Sequence, residues 1–179
     1  MVFAEIKDSG DRTEFETGAV RDMHEGKGRC DLLPLEEVCD LINYSKGEDI
    51  KLAGSALDMF CKWIGYARNG EPYEYHRHFF YSALERFAKA NDWDAPTMLL
   101  EVAQHFEQGA VKYGEYNWQK GIKAHSYVDS SIRHYLKWMR GDNDERHDRA
   151  VVWNWLCLMW TLKNKPECND LVLSDGDDR

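Results

Sequence analysis

Asp142, Asp144, Glu145 and Asp148, with His147 among them, stand directly ahead of the most apolar stretch of the chain, AVVWNWLCLMWTL at residues 150–162. Carboxylates gathered at the mouth of a helix that must be buried are costly unless a positive charge neutralises them, and a divalent cation is the natural candidate. Glu145 and Asp148 are three residues apart, so on a helix they leave one face about one turn apart and can share an ion. The competing reading is that these acids only complement the helix macrodipole.

A second set of acids lies upstream. Glu101 and His105 are four residues apart on one face of a predicted helix, with Glu107 on an adjacent face. If the two helices pack side by side, the acids meet across the bundle, which is how helical bundles build di-metal carboxylate sites. Hard oxygen ligands in that number suit Mg²⁺ or Mn²⁺ better than zinc. Lys112, Lys120, Lys123, Arg133, His134, Lys137, Arg140 and Arg149 are concentrated beside the acids and offer contacts to phosphate, although a charge on a helix is commonly a solvated surface charge. His134 is read both as a boundary residue and as a site residue. Asn117 and Trp118, in a glycine-flanked loop, could supply an amide to read a base edge and a ring to stack on it; Trp118 could equally cover the core. GAVRD (18–22) and GKGRCD (26–31) hold Arg21, Lys27 and Arg29 next to flexible backbone, as polyphosphate clamps do, yet the spacing of a P-loop is absent.

The elements that must position these groups are helical. Apolar residues recur at helical spacing over 35–44, 53–66, 73–90, from Pro96 to Ala110, over 126–139 and from about 145 to 163. Gly114 and Gly141 stand where two of these helices should end, and Pro166 follows the last. No alternating strand and no internal repeat is found, so the expectation is an all-α helical bundle behind an irregular N-terminal arm. The division expected is an arm over 1–34, a helical domain over 35–171 and a disordered acidic tail over 172–179.

With 179 residues, 43% of them hydrophobic, the chain can bury one sizeable core. A formal charge of -9 argues against coating nucleic acid, whose phosphates need a concentrated basic surface, but leaves a free nucleotide as a ligand. No apolar run is long enough to cross a membrane and no signal-peptide core is present, so a cytoplasmic protein is expected. The five cysteines lack paired spacing and are expected to be reduced, with Cys39 and Cys157 in the core. Seven tryptophans and nine tyrosines are many for this length, and Trp153, Trp155 and Trp160 spread around the last helix. A homo-oligomer, dimer or tetramer, is therefore expected.

EVAQHFEQGAVKYGEYNWQKGI (101–122) and YVDSSIRHYLKWMRGDNDERHDRAVVWNWLC (127–157), with ETGAVRD and GKGRCDLLP near the N-terminus, resemble the phage dATP/dGTP diphosphohydrolase (MazZ) family, related to the MazG-type all-α nucleoside triphosphate pyrophosphatases. The resemblance covers residues 16–42 and 95–171, with residues 43–94 set apart as a candidate helical insertion. It implies metal-dependent hydrolysis of a purine deoxynucleoside triphosphate to monophosphate and pyrophosphate, in phages that replace adenine with 2-aminoadenine. MazG-type sites use Glu-x-x-Glu on one helix and Glu-x-x-Asp on another. The second matches Glu145 and Asp148; Glu101 stands for the first, with Glu36, Glu37 and Asp40 in reserve. Arg21, Lys27, Arg29, Lys112, Asn117, Trp118, Arg133, His134 and Lys137 become substrate contacts, and Glu107 or His105 the group that orients or deprotonates water. A dUTPase-like pyrophosphatase of the same superfamily and a non-catalytic helical interaction module are the competing functions.

Overall fold

The computed structural model describes residues 10–22, 30–34 and 48–172. Among these, five helices form the bundle: α1 (Glu48–Arg68), α2 (Tyr73–Ala90), α3 (Ala95–Tyr113), α4 (Ala124–Arg140) and α5 (His147–Asn164). The helix expected over 35–44, with Glu36, Glu37, Cys39 and Asp40, lies outside the described residues, as do Lys27, Arg29 and residues 173–179.

Local chemistry explains the helix limits. Asp94 caps α3 by accepting a hydrogen bond from the Thr97 amide at 2.8 Å, and a proline follows in the first turn. Gly114 and Gly141 leave α3 and α4 with φ of 88° and 82°, a left-handed exit that glycine makes without strain. α5 begins at His147, two residues later than the sequence pattern suggests, so Glu145 precedes the helix and does not share a helical face with Asp148. That start separates the two side chains expected to hold one ion.

α1 packs on α2, and α4 runs beside α5. The core is aromatic: Phe60 stacks on Trp155 at 4.7 Å between ring centres, and Phe87 meets Tyr135 at 5.4 Å and Trp155 at 5.5 Å. These contacts tie α1 and α2 to α4 and α5, so residues 48–94 of the candidate insertion contribute to the same core. α5 is buried on several sides, as its spread of tryptophans suggests: His147, Arg149, Val151, Asn154, Trp155 and Leu158 are all buried. Cys157 is buried, and Cys30, Cys61, Cys157 and Cys168 are free thiols. Among the described residues no helix is long and apolar enough to cross a membrane.

One expectation is corrected. The arm contains a two-stranded antiparallel ribbon, β1 (Arg12–Glu14) and β2 (Val20–Asp22), with Thr13 opposite Arg21. Three-residue strands are too short to produce an alternating pattern, and an isolated ribbon is at best marginal in water. Its support is tertiary. The Asn117 amide imitates a third strand: its Oδ1 accepts from the Val20 N–H at 3.1 Å, and its Nδ2 donates to the Val20 carbonyl at 2.9 Å. Asp22 accepts from Lys112 at 2.9 Å, Tyr113 at 3.0 Å and Arg12 at 3.1 Å. Thr17 donates to the Gly121 carbonyl at 2.6 Å; a Cβ at Gly121 would stand 3.0 Å from the Cys168 Sγ and 3.2 Å from the Thr17 methyl.

Replacing Asn117 by alanine leaves both Val20 backbone groups without this partner and should weaken the seating of the ribbon by about 2 kcal/mol. Amide hydrogen exchange should then speed up at Val20 and its neighbours while the α4 and α5 amides stay protected; unchanged exchange at Val20 would contradict this role.

Candidate functional site

α4 and α5 approach at the end where α4 finishes and α5 begins, and two histidines meet there. His134 and His147 place their Nδ1 atoms 2.9 Å apart, with rings 5.1 Å between centres. The other nitrogen of His147, Nε2, lies 2.7 Å from Asp144 Oδ1; the carboxylate can only accept, so Nε2 carries the proton and Nδ1 presents its lone pair. Glu145 Oε2 stands 3.8 Å from His134 Nδ1 and 3.9 Å from His147 Nδ1. Two imidazole nitrogens and a carboxylate oxygen thus converge, each able to bind a cation, and Asp144 orients His147 as an outer carboxylate orients a metal-bound histidine. Asp142, Asp144 and His147 form a second, overlapping group of that kind. Burial pushes His134 well below the usual histidine pKa, and His147 pushes it the same way, so its ring is neutral at pH 7; its Nδ1 donates to His147 here and can ligate once that proton moves to Nε2.

The carboxylates singled out from sequence are divided. Glu145 belongs to the histidine cluster, whereas Glu101, Glu145 and Asp148 do not gather as one set. Glu101 Oε2 accepts from Arg149 Nη2 at 2.6 Å and from Arg146 Nη2 at 2.9 Å. Arg146 also grips Asp148, at 2.7 Å from Nη2 and 3.0 Å from Nε. The acids of α3 and α5 do face each other across the bundle, but two guanidinium groups lie between them. Arg149 is 1% exposed, and the Glu101 carboxylate helps to offset its buried charge.

A cavity of about 770 Å³ opens beside the cluster. Glu145, His134, Lys137, Arg133 and Arg21 line it together with Phe106, Trp118, Trp153 and Asn154, and His105, Glu107, Tyr113 and Asn117 also reach its wall. Lys137 donates to Asp144 at 3.2 Å, and Arg133 pairs with the fully buried Asp129. Lys112 is committed to Asp22 and does not reach the wall, and both ends of the Asn117 amide are taken by Val20. Trp118 meets Phe106 and Trp160 edge to face. Burial, reinforced by the nearby Arg149 cation, lowers the His105 pKa to about 4.

His147, Asp144, Arg146, Phe106, Trp153 and Asn154 take part without having been assigned roles from sequence. Asn154 carried a signal: it is the one amide in the apolar run AVVWNWLC. His147 and Asp144 stood inside the acidic cluster, but only the crossing with α4 brings His134 onto them.

A helical bundle in which cations and an imidazole–carboxylate cluster line a cavity of this size has the make-up of an all-α nucleotide hydrolase. The family described as dATP/dGTP diphosphohydrolase, N-terminal, matches residues 82–171, and the chain belongs to it. It is a hydrolase acting on nucleoside triphosphates. Neither a curated protein nor a solved structure matches the chain.

Two outcomes follow. A histidine held near pKa 4 when folded, against about 6.5 unfolded, stays neutral while the unfolded chain takes up a proton. Its contribution is therefore complete above pH 6.5 and lost as pH falls from 6.5 towards 4. The folding stability of His105→Gln should fall less over that window than that of the wild type, as read from urea midpoints; parallel curves would exclude the effect. Glu101→Leu, which takes from the buried Arg149 the carboxylate that meets it at 2.6 Å, should cost about 3 kcal/mol by urea unfolding, and adding Arg149→Met should recover part of it.

Proposed function

We propose that the protein hydrolyses dGTP and dATP to dGMP or dAMP and pyrophosphate, with Mg²⁺ or Mn²⁺ held at the junction of α4 and α5. The observation that carries this reading is one cavity whose lining joins unlike groups: the charged or polar Glu145, His134, Lys137 and Arg133, and the rings of Phe106, Trp118 and Trp153. A nucleotide joins the same two kinds of group. Nδ1 of His134, Nδ1 of His147 and Oε2 of Glu145, all within 4.8 Å of one another, fit a divalent ion. A bound ion would supply Lewis acidity at the phosphate oxygens and a more acidic water.

The rest falls to the chain. Water adds to the α-phosphorus, the bond to the bridging oxygen breaks, and pyrophosphate departs. Lys137 and Arg133, on the same side of the cavity as Glu145, are suited to the phosphate oxygens. Glu107 reaches the wall and is exposed, which places it to orient or deprotonate the attacking water; the neutral His105 is suited to a hydrogen bond and is a weak base. Glu101 and Asp148, held by Arg146 and Arg149, become ligands only if those arginines turn away.

The family resemblance extends this reading to phages that use 2-aminoadenine, in which the reaction removes dATP and yields dGMP for the substitute nucleotide. We read residues 1–34 as a phosphate-binding arm and 35–171 as the catalytic unit, at work in the cytoplasm. Leu99, Leu100 and Val111 are 55%, 70% and 87% exposed on α3, which supports an association of two copies through that helix.

The test is pyrophosphate release from dATP, dGTP, dCTP, dTTP, dUTP, ATP and GTP, each with and without Mg²⁺ or Mn²⁺. Release should depend on the metal and be confined to the purine deoxynucleotides. Glu145→Gln and His147→Gln should each lower kcat by at least about a hundredfold with helix content intact. Full activity in both would remove the assignment, and preference for dUTP would shift the substrate class.

A further inference from the structure

Arg21 is an unusual cation. β2 delivers it into the bundle, where its guanidinium lies 5.1 Å from the Tyr127 ring centre and 5.9 Å from that of Trp153. Nη2 donates to Asn154 Oδ1 at 2.6 Å, and that amide is itself fixed by donating from Nδ2 to the Ala150 carbonyl at 2.7 Å. Nη1 is buried and has no hydrogen-bond partner among the described residues. No carboxylate there pairs with this arginine, and burial lowers its pKa. Arg133 and Lys137, by contrast, each hold an acid. A buried guanidinium with open donors asks for an acceptor from outside the chain.

The position of Arg21 says which part of a nucleotide supplies that acceptor. Its neighbours Tyr127 and Asn154 are each seven residues from a member of the histidine cluster, His134 on α4 and His147 on α5. Seven residues are two helical turns, about 10 Å along the axes. If the α-phosphate is held at the cluster, Arg21 is a nucleoside's length away, beside Trp153, whose ring meets Phe106, which in turn meets Trp118. A polyphosphate would extend from the cluster over Lys137 and Arg133; the base would reach Arg21.

Resting on the hydrolase reading, we propose that Arg21 reads the base, donating from its guanidinium to O6 and N7 of guanine and so favouring dGTP over dATP. Guanine offers two acceptors on this edge, the pattern that a two-pronged arginine matches, whereas adenine places an amino donor where O6 would be. Held by ring faces and one amide oxygen, with no ion pair to break, the guanidinium can turn its open edge to an entering base. The arginine expected from sequence to clamp phosphate thereby becomes the residue that sets base preference.

The experiment is steady-state pyrophosphate release by the full chain from dGTP, 7-deaza-dGTP and dATP, using wild type and Arg21→Gln. The wild type should prefer dGTP to dATP by about tenfold to a hundredfold in kcat/KM, and removing N7 should cost several-fold, mainly in KM. Arg21→Gln should lose the preference for dGTP and keep or improve dATP turnover, because glutamine pairs with the N6 and N7 of adenine. Equal losses on dGTP and dATP would return Arg21 to a phosphate role and overturn the proposal. So would equal wild-type rates on dGTP and 7-deaza-dGTP, a comparison that needs no variant. If the wild type released pyrophosphate from no nucleotide, the hydrolase reading would fail by itself; calorimetric binding of dGTP against 7-deaza-dGTP would still decide Arg21, equal affinities overturning it.

Discussion

Arg149 is a cation with 1% of its surface exposed, and the arrangement of the bundle around the site follows from how that charge is matched. A buried guanidinium is tolerable only with a partner of opposite charge and good hydrogen-bond geometry. Glu101, from the neighbouring helix, meets it at 2.6 Å, which holds α3 against the first turn of α5. The same carboxylate takes Arg146, and Arg146 takes Asp148. Two of the three acids that sequence spacing marked for a metal are thus bound by arginines. Glu145 alone is left to face the histidines.

The histidine pair has its own chain of causes. Asp144 fixes the tautomer of His147, His147 presents a lone pair to His134, and Glu145 closes the third side. Burial keeps His134 neutral, since its charged form would lose hydration without gaining a partner that compensates.

The N-terminal ribbon matters because of what it brings into the bundle. Val20 pairs with the Asn117 amide and Asp22 with Lys112 and Tyr113, so the residue between them, Arg21, is pressed into the interior. A short segment, which adds Ala19 and the packed Phe15 to the core, carries a residue that lines the cavity. Asn117 and Lys112, both read from sequence as substrate contacts, serve this docking instead: their polar groups are filled by the protein itself.

The sequence by itself determined the all-α class, most helix limits and the family. Helical periodicity, capping residues and glycine exits are local properties, written in consecutive residues, and α2 spans the same 73–90 that its pattern marks. The gathering of titratable residues between 101 and 149 was legible for the same reason. The pairing within that group was not. Whether Glu145 meets Asp148 or His134, and whether Glu101 faces an ion or Arg149, depends on where α5 starts and how it crosses α3 and α4. A two-residue change in that start turns a side chain by about half a turn of helix. The ribbon was hidden too, because its hydrogen bonds come from residues nearly a hundred positions away. Spacing along the chain limits which groups can meet; only packing, which must match every buried charge with a partner, decided which of them do.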